Sequence, residues 1–421
     1  MVIAGNRMWK PMLSPNCTRA RISASSMGSI LRRRCYARLN YGGMTRLLQP
    51  FVLVVTALLA VAYAYLAWRL AAGPWPHAAL ALPFVLVWIV PVLYWGGNRR
   101  REGLADLVLH QASYLSMAWI SFMLVLTLAR DLLLLATLAP ALARAHAMVN
   151  EAGVPVVLVA SLVAMAIGAL AALRGPHVKE VEITVPGLHP DLDGYRIAQI
   201  TDLHIGPTIG RRYVERVAEL TEKLAPDLVA LTGDMVDGPV GELAPHVEPL
   251  RRVAAGGRAY FVLGNHDCYS GADAWLAHFR DMGMRILLNE SATVAKGEAR
   301  MLVGGVVDPA LALSRPDAAP RPDLAAQGAD GADFRLLLAH NPRIAPHAER
   351  AGFDLQISGH THAGQFFPWT LAIHLVHAPH VAGLSREGRM QVYVSAGTGT
   401  WGPPVRFGTS PELTLIRLAR G

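Results

Sequence analysis

The chain has 421 residues, enough for a large folded domain and a second region. Hydrophobic residues make up 52% of it and charged residues only 17%, which excludes an ordinary soluble protein and points to membrane spans. The net charge of +8 is not a nucleic-acid signature: residues 1–46 carry nine Arg and Lys and no acid, and removing that +9 leaves −1 for residues 47–421.

In chain order, the first region is this basic tail, residues 1–46. It has no apolar core of its own and reads as disordered. Arg32-Arg33-Arg34 ahead of an apolar run loosely resembles a twin-arginine export signal, but three more apolar stretches follow, so the arginines read as topology determinants. Met44 offers an alternative start. Residues 47–174 form an all-α transmembrane region of about four helices, with apolar stretches near Leu47–Trp68, Ala78–Trp95, Ser113–Ala129 and Val154–Leu173. Trp68, Trp75 and Trp95 sit near stretch ends, where amphipathic rings favour the interface. Arg130-Asp131 interrupts the third stretch. Either the helix ends there, with the pair at the interface and an amphipathic continuation, or the two form a neutralised couple inside the membrane.

The third region, residues 175–421, has the composition of a soluble α/β domain. Strands are expected at Tyr195–Thr201, Asp227–Leu231, Ala259–Leu263, Phe334–Leu338, Leu355–Ile357, Gln391–Ser395 and Leu413–Arg417, and a helix at Arg211–Leu224. Ala318–Ala332 reads as a surface loop. Cys17, Cys35 and Cys268 form no metal-ligand spacing and no disulfide framework.

The acids and histidines fall just after five of the expected strands: Asp202 and His204, Gly233-Asp234, Gly264-Asn265-His266-Asp267, His340, and Gly359-His360-Thr361-His362. Carboxyl ends of strands are where α/β sheets build sites. A mixture of imidazole, carboxylate and amide oxygen suits Mn, Fe or Zn, and the lack of thiolates argues against a closed structural zinc site. The order D-x-H, G-D-x-x-D, G-N-H-D, H, G-H-x-H resembles the calcineurin-like metallophosphoesterase superfamily over roughly residues 180–421. More narrowly, it resembles the branch that joins transmembrane helices to this domain and ends in a Gly-rich turn, here Gly397 to Phe407. Ala363 replaces a Gly usual in that branch.

The resemblance implies a four-layer α/β/β/α sandwich, two divalent metal ions and a phosphoester substrate. It implies that Asp202, His204 and His362 hold one ion, that Asn265, His340 and His360 hold the other, and that Asp234 bridges them. His266 would be the catalytic group, oriented by Asp267. Asp237 would be a helix cap or would steady a ligand, and Arg406 is a candidate fork for the substrate phosphate. The membrane half suggests a lipid-linked substrate, such as the UDP-2,3-diacylglucosamine hydrolysed by relatives in this superfamily. The alternative is a membrane sensor or accessory protein that binds a phosphorylated ligand without turnover. Loss of Asp234, His340 or His266 would favour it, and all three are present.

The Arg-rich tail precedes the first stretch, Arg99-Arg100-Arg101 follow the second and Arg174 and Lys179 the fourth, whereas the opposite loops offer only Arg69 and Arg144. The positive-inside rule then places residues 175–421 in the cytoplasm, on a multi-pass inner-membrane protein. Alkaline phosphatase fused to the C-terminus is therefore expected to be inactive; strong phosphatase activity in such a fusion would mean an odd number of spans.

Overall fold

The computed structural model describes residues 50–95 and 103–421. The basic tail, Met44 and the Arg99-Arg100-Arg101 loop lie outside the described residues. Four helices, Val52–Leu70, Pro74–Tyr94, Gly103–Ala136 and Pro140–Leu173, are long and apolar enough to cross a membrane. We label the helical cores α1 (Pro50–Leu70), α2 (Pro74–Leu86), α3 (Gly103–Ala136) and α4 (Ala143–Leu173). Leu66, Phe84, Ile120 and Met123 pack between α1, α2 and α3, while Leu58, Val61, Leu132 and Leu170 face outward. A bundle that is apolar outside as well as inside suits lipid rather than water.

α3 runs unbroken through Arg130-Asp131, so the helix does not end at this pair. The acid is neutralised chiefly by a different residue. Arg69, at the end of α1, donates through Nε to Asp131 at 3.0 Å, Tyr65 donates to the same carboxylate at 2.8 Å, and Arg130 stands 3.6 Å away. Arg69 is thus a paired residue and not a free loop charge. The ends of α1 and α3 lie together, as an alternating up-and-down course requires.

The remainder folds into two six-stranded sheets covered by helices. The strands are β1 (His177–Val185), β2 (Arg196–Ile200), β3 (Leu228–Leu231), β4 (Ala259–Phe261), β5 (Arg285–Ile286), β6 (Glu290–Lys296), β7 (Ala299–Gly305), β8 (Phe334–Leu338), β9 (Leu355–Ser358), β10 (Gly383–Glu387), β11 (Met390–Val394) and β12 (Glu412–Arg420). One sheet runs β1-β12-β2-β3-β4-β5 and the other β10-β11-β9-β8-β7-β6.

The side-chain period of two decides which layer each residue enters. Leu228 and Ala230 of β3 join Ile197, Met301, Leu336, Ile357 and Tyr393 between the sheets. Their neighbours Val229 and Leu231 point the other way, against Val217, Val247 and Trp275 of the outer helices. The second sheet has its own outer layer, where Leu337 and Val392 meet Ala345 and Ala348. This is the α/β/β/α sandwich. In the Ala318–Ala332 segment, Pro322–Ala325 forms one helical turn within an otherwise irregular run.

The sandwich is joined to the bundle both through the chain and through packing. The chain passes directly from α4 into β1, which pairs in parallel with β12 from His177 opposite Glu412 to Val185 opposite Arg420. Separately, Phe366 and Phe407 pack on Phe122 of α3 at ring distances of 5.7 and 5.4 Å. The Arg406 amide donates to the Gly168 carbonyl of α4 at 2.9 Å. Gly168 permits that approach, since a Cβ there would lie 2.6 Å from Val405 Cγ1.

Candidate metal centre

In the first sheet β2, β3 and β4 run parallel, as do β8 and β9 in the second. Their carboxyl ends deliver Asp202 and His204, Asp234, Asn265 and His266, His340, and His360 and His362 into one cleft. Asp202, His204 and His362 offer donor atoms within 4.8 Å of one another, as do Asp234, His340 and His360. Asn265 Oδ1 joins the second group, 3.2 Å from His340 Nε2 and 3.0 Å from His360 Nδ1. Asp234 Oδ2 lies 3.2 Å from His340 Nε2 and 3.8 Å from His204 Nε2, so it stands between the groups.

The local backbone is bent to achieve this. Asp202, His204, Asp234, His360 and His362 all have φ between 50° and 74°, as do Ala363 and Gln365 beside them. Among the described non-glycine residues, only Ala225 and Asn289 have positive φ elsewhere. Each such non-glycine residue costs roughly 1–2 kcal/mol, and strain of this kind concentrates at functional sites. Ala363, at φ 52°, occupies a position where the usual Gly would be unstrained. Two glycines are needed for close approach instead. A Cβ on Gly264 would sit 2.1 Å from Asp234 Oδ1, and one on Gly359 would sit 2.0 Å from Asp202 Oδ2.

The buried groups are held from behind. Thr201 donates to Asp202 Oδ2 at 2.7 Å, and the His360 amide donates to Oδ1 at 2.9 Å. His340 Nδ1 donates to the Thr232 carbonyl at 2.8 Å, which leaves Nε2 facing the cleft. Asp237 accepts from Nδ1 of both His204, at 3.0 Å, and His266, at 2.7 Å. Asp237 therefore steadies two imidazoles and caps no helix.

Electrostatics follow from the crowding. Burial alone would lower His204, but the charge and hydrogen bond of Asp237, with Asp234 and Asp202, raise it to about 9. Asp234 likewise holds His340 well above the ordinary imidazole value against burial. Burial, and then the His340 charge, lower His360 to about 3. Burial, His204 and Arg406 push His362 well down. Asp234 stays far below the usual carboxylate range although burial opposes this, because His340, His266 and His204 surround it. His204 meets His362 at 3.0 Å and His340 meets His360 at 3.3 Å, so the cleft brings imidazole nitrogens together in close pairs. Basic nitrogens converging on buried carboxylates are a donor set that fits divalent cations.

Two expectations are corrected. Asp267 does not orient His266. It is fully buried and accepts from the backbone amides of Gly264, Asp234, Met235 and Val236 at 2.8–3.2 Å, tying the Asp234 loop to the Asn265 loop. Burial, and then the Asp234 charge, raise it to about 7. Arg406 is not placed to grip a substrate. It is 1% exposed and donates to the carbonyls of His362 at 3.0 Å and Gly399 at 2.6 Å, bracing the turn behind His362. His266 sits at the mouth, its ring 4.7 Å from that of His204 and 5.8 Å from that of Trp401. One of its ring nitrogens lies within 4.8 Å of donor atoms of His204 and Asp234. Sequence reasoning passed over Trp401 and the helix Trp369–His377, although Trp401 lies within the Gly-rich turn already singled out.

Residues 195–364 match the family described as calcineurin-like phosphoesterase. That stretch, which holds every donor of the cleft, is similar to this family. The Danio rerio protein described as a transmembrane protein with metallophosphoesterase domain is 36% identical over 259 residues, 60% of this chain and 59% of that protein. Its Bos taurus counterpart is 34% identical over 263 residues, with the same shares. A Helicobacter pylori protein described as an uncharacterized metallophosphoesterase is 34% identical over 248 residues, 58% of this chain and 65% of that protein. The chain thus spans about 59–65% of the length of these relatives.

The role of Asp267 can be tested by stability alone. Asp267→Ala strands four buried amides, each worth about 1–3 kcal/mol when unsatisfied. Thermal unfolding is expected to show a loss of several kcal/mol, whereas a residue that served only to orient His266 would leave the melting temperature nearly unchanged.

Proposed function

We propose that this chain is a membrane-anchored, binuclear-metal phosphoesterase that cleaves a phosphoester or pyrophosphate bond. One observation carries the reading: donors from five strand ends of two sheets meet as two adjoining groups that share Asp234. Asp202, His204 and His362 would hold one ion, Asn265, His340 and His360 the other, with Asp234 between them. When bound, Mn, Fe or Zn ions supply Lewis acidity toward the phosphoryl oxygens and lower the pKa of an attacking water.

This chain's own residues do the rest. Asp237 fixes the His266 ring through Nδ1, which leaves Nε2 for the substrate side. As the water oxygen bonds to phosphorus and gives a proton to solvent, the ester P–O bond breaks and protonated His266 delivers its Nε2 proton to the departing oxygen, to be reprotonated from solvent. Trp401, against His266, narrows the mouth of the cleft. The apolar helices favour a lipid-linked substrate, of which UDP-2,3-diacylglucosamine is one example. We further propose that the chain divides at residues 46/47 and 174/175, with the catalytic domain at 175–421.

Two variants separate metal assembly from chemistry. Asp234→Asn is expected to lower bound metal, read by mass spectrometry, together with turnover. His266→Gln is expected to keep metal and lose about 10²–10⁴-fold in kcat on alkyl esters, the usual worth of general acid catalysis, with a smaller loss on p-nitrophenyl esters, whose phenolate needs no proton. If His266→Gln strips the metal, His266 is a ligand. An equal loss on both ester types would mean that His266 stabilises phosphoryl charge instead.

A further inference from the structure

We propose that the site takes its phosphoester sideways from the bilayer, with an acyl chain of a membrane lipid lying in a groove between α3 and the helix Trp369–His377. This rests on the phosphoesterase reading above and adds an acyl-chain subsite and a lateral route of entry.

A groove of about 360 Å³ leads away from the metal centre, a size that falls in the range of small-molecule sites. Its inner end is formed by His360 and His362, and its walls by Phe366, Ile373, Val376 and Trp401. Its far wall is Met117 of α3. The polar side chains along it are already engaged. Thr361 donates to the Val381 carbonyl at 2.6 Å, and Gln365 bonds the backbone of Trp401 and Pro403 at 2.8–2.9 Å. What remains free along the groove is apolar surface, which offers nothing to a hydrated headgroup and suits a hydrocarbon chain.

The helix Trp369–His377 buries none of its residues. Leu371 is 65% exposed and Leu375 is 90% exposed, on a helix that a water-facing domain would turn apolar side inward. Its position explains this. The Trp369 indole donates to Ser121 Oγ of α3 at 3.4 Å. Ser121 lies well inside the apolar stretch that opens at Ser113, about 12 Å along the helix at ~1.5 Å per residue. The groove is therefore continuous with the face where the domain meets α3 and α4, and its outer end opens at hydrocarbon depth. A phosphoester linked to an acyl chain seated there is drawn to the inner end, where His360 and His362 stand. A soluble phosphoester gains nothing from the groove.

The test uses the full chain, loaded with Mn²⁺ in nanodiscs, and methyl, hexyl and dodecyl p-nitrophenyl phosphate diesters. Each buried methylene is worth ~0.8 kcal/mol at most, an upper limit of about fourfold in kcat/KM. Even partial burial is expected to raise kcat/KM by about tenfold or more from methyl to dodecyl. Ile373→Asp is expected to flatten that ratio to within about threefold, and Ile373→Leu to keep it. Because the ratio is taken within each variant, a general loss of folded protein cancels, and membrane partitioning of the longer esters is common to all three proteins. Hydrolysis of the methyl ester with no chain-length response in the wild type overturns the lipid groove, and leaves that face to a protein partner. A slope that survives Ile373→Asp also overturns it. Failure to hydrolyse any of the three esters would sink the phosphoesterase reading itself.

Discussion

The structure depends on the position of Asp234, a buried carboxylate with His204 on one side and His340 on the other. Around it four imidazoles face one another in pairs at 3.0 and 3.3 Å. Such an arrangement is poor by itself, since facing imidazoles this close repel one another when both are charged. It becomes favourable when cations replace the protons, and that is the chemical reason for reading it as a metal centre. Two sheets are needed to build it. β2, β3 and β4 approach from one side and β8 and β9 from the other, and neither sheet alone supplies both groups.

Convergence at this edge is held by backbone as much as by side chains. Seven residues with positive φ are crowded into three loops, and Asp267 gathers three amides of one of these, the Asp234 loop, together with the Gly264 amide of the neighbouring loop into one carboxylate. The cost of the bent loops is offset by the core between the sheets, where β3 and β8 are wholly or almost wholly buried. Rigid strands and strained loops together leave the donors little freedom to move.

The site was legible in the sequence because its glycines and donors sit in short contiguous strings. Gly264 and Gly359 each allow a neighbouring carboxylate to approach where a Cβ would collide. Partnering inside the site was less legible. Asp267 is adjacent to His266, yet in the short helix Asn265–Tyr269 it turns back to the Gly264 amide, while His266 reaches Asp237 from another loop. Arg406 has the residue type of a phosphate fork, and only packing distinguishes a fork from a brace. β8 and β9 were plain as apolar runs. β1, β6, β7 and β10 were not, because three of these four lie at sheet edges and mix exposed charged residues with partly buried ones. Arg69 looked like a loop charge because its partner, Asp131, lies 62 residues away.

The central claim, that the cleft binds two ions sharing Asp234, is tested most directly by titrating the metal-free full chain with Mn²⁺ under electron paramagnetic resonance. The account predicts saturation at two ions per chain. It also predicts an exchange-coupled spectrum, as expected for ions ~3.5–4 Å apart. An isolated six-line Mn²⁺ signal that saturates at one ion per chain would contradict it.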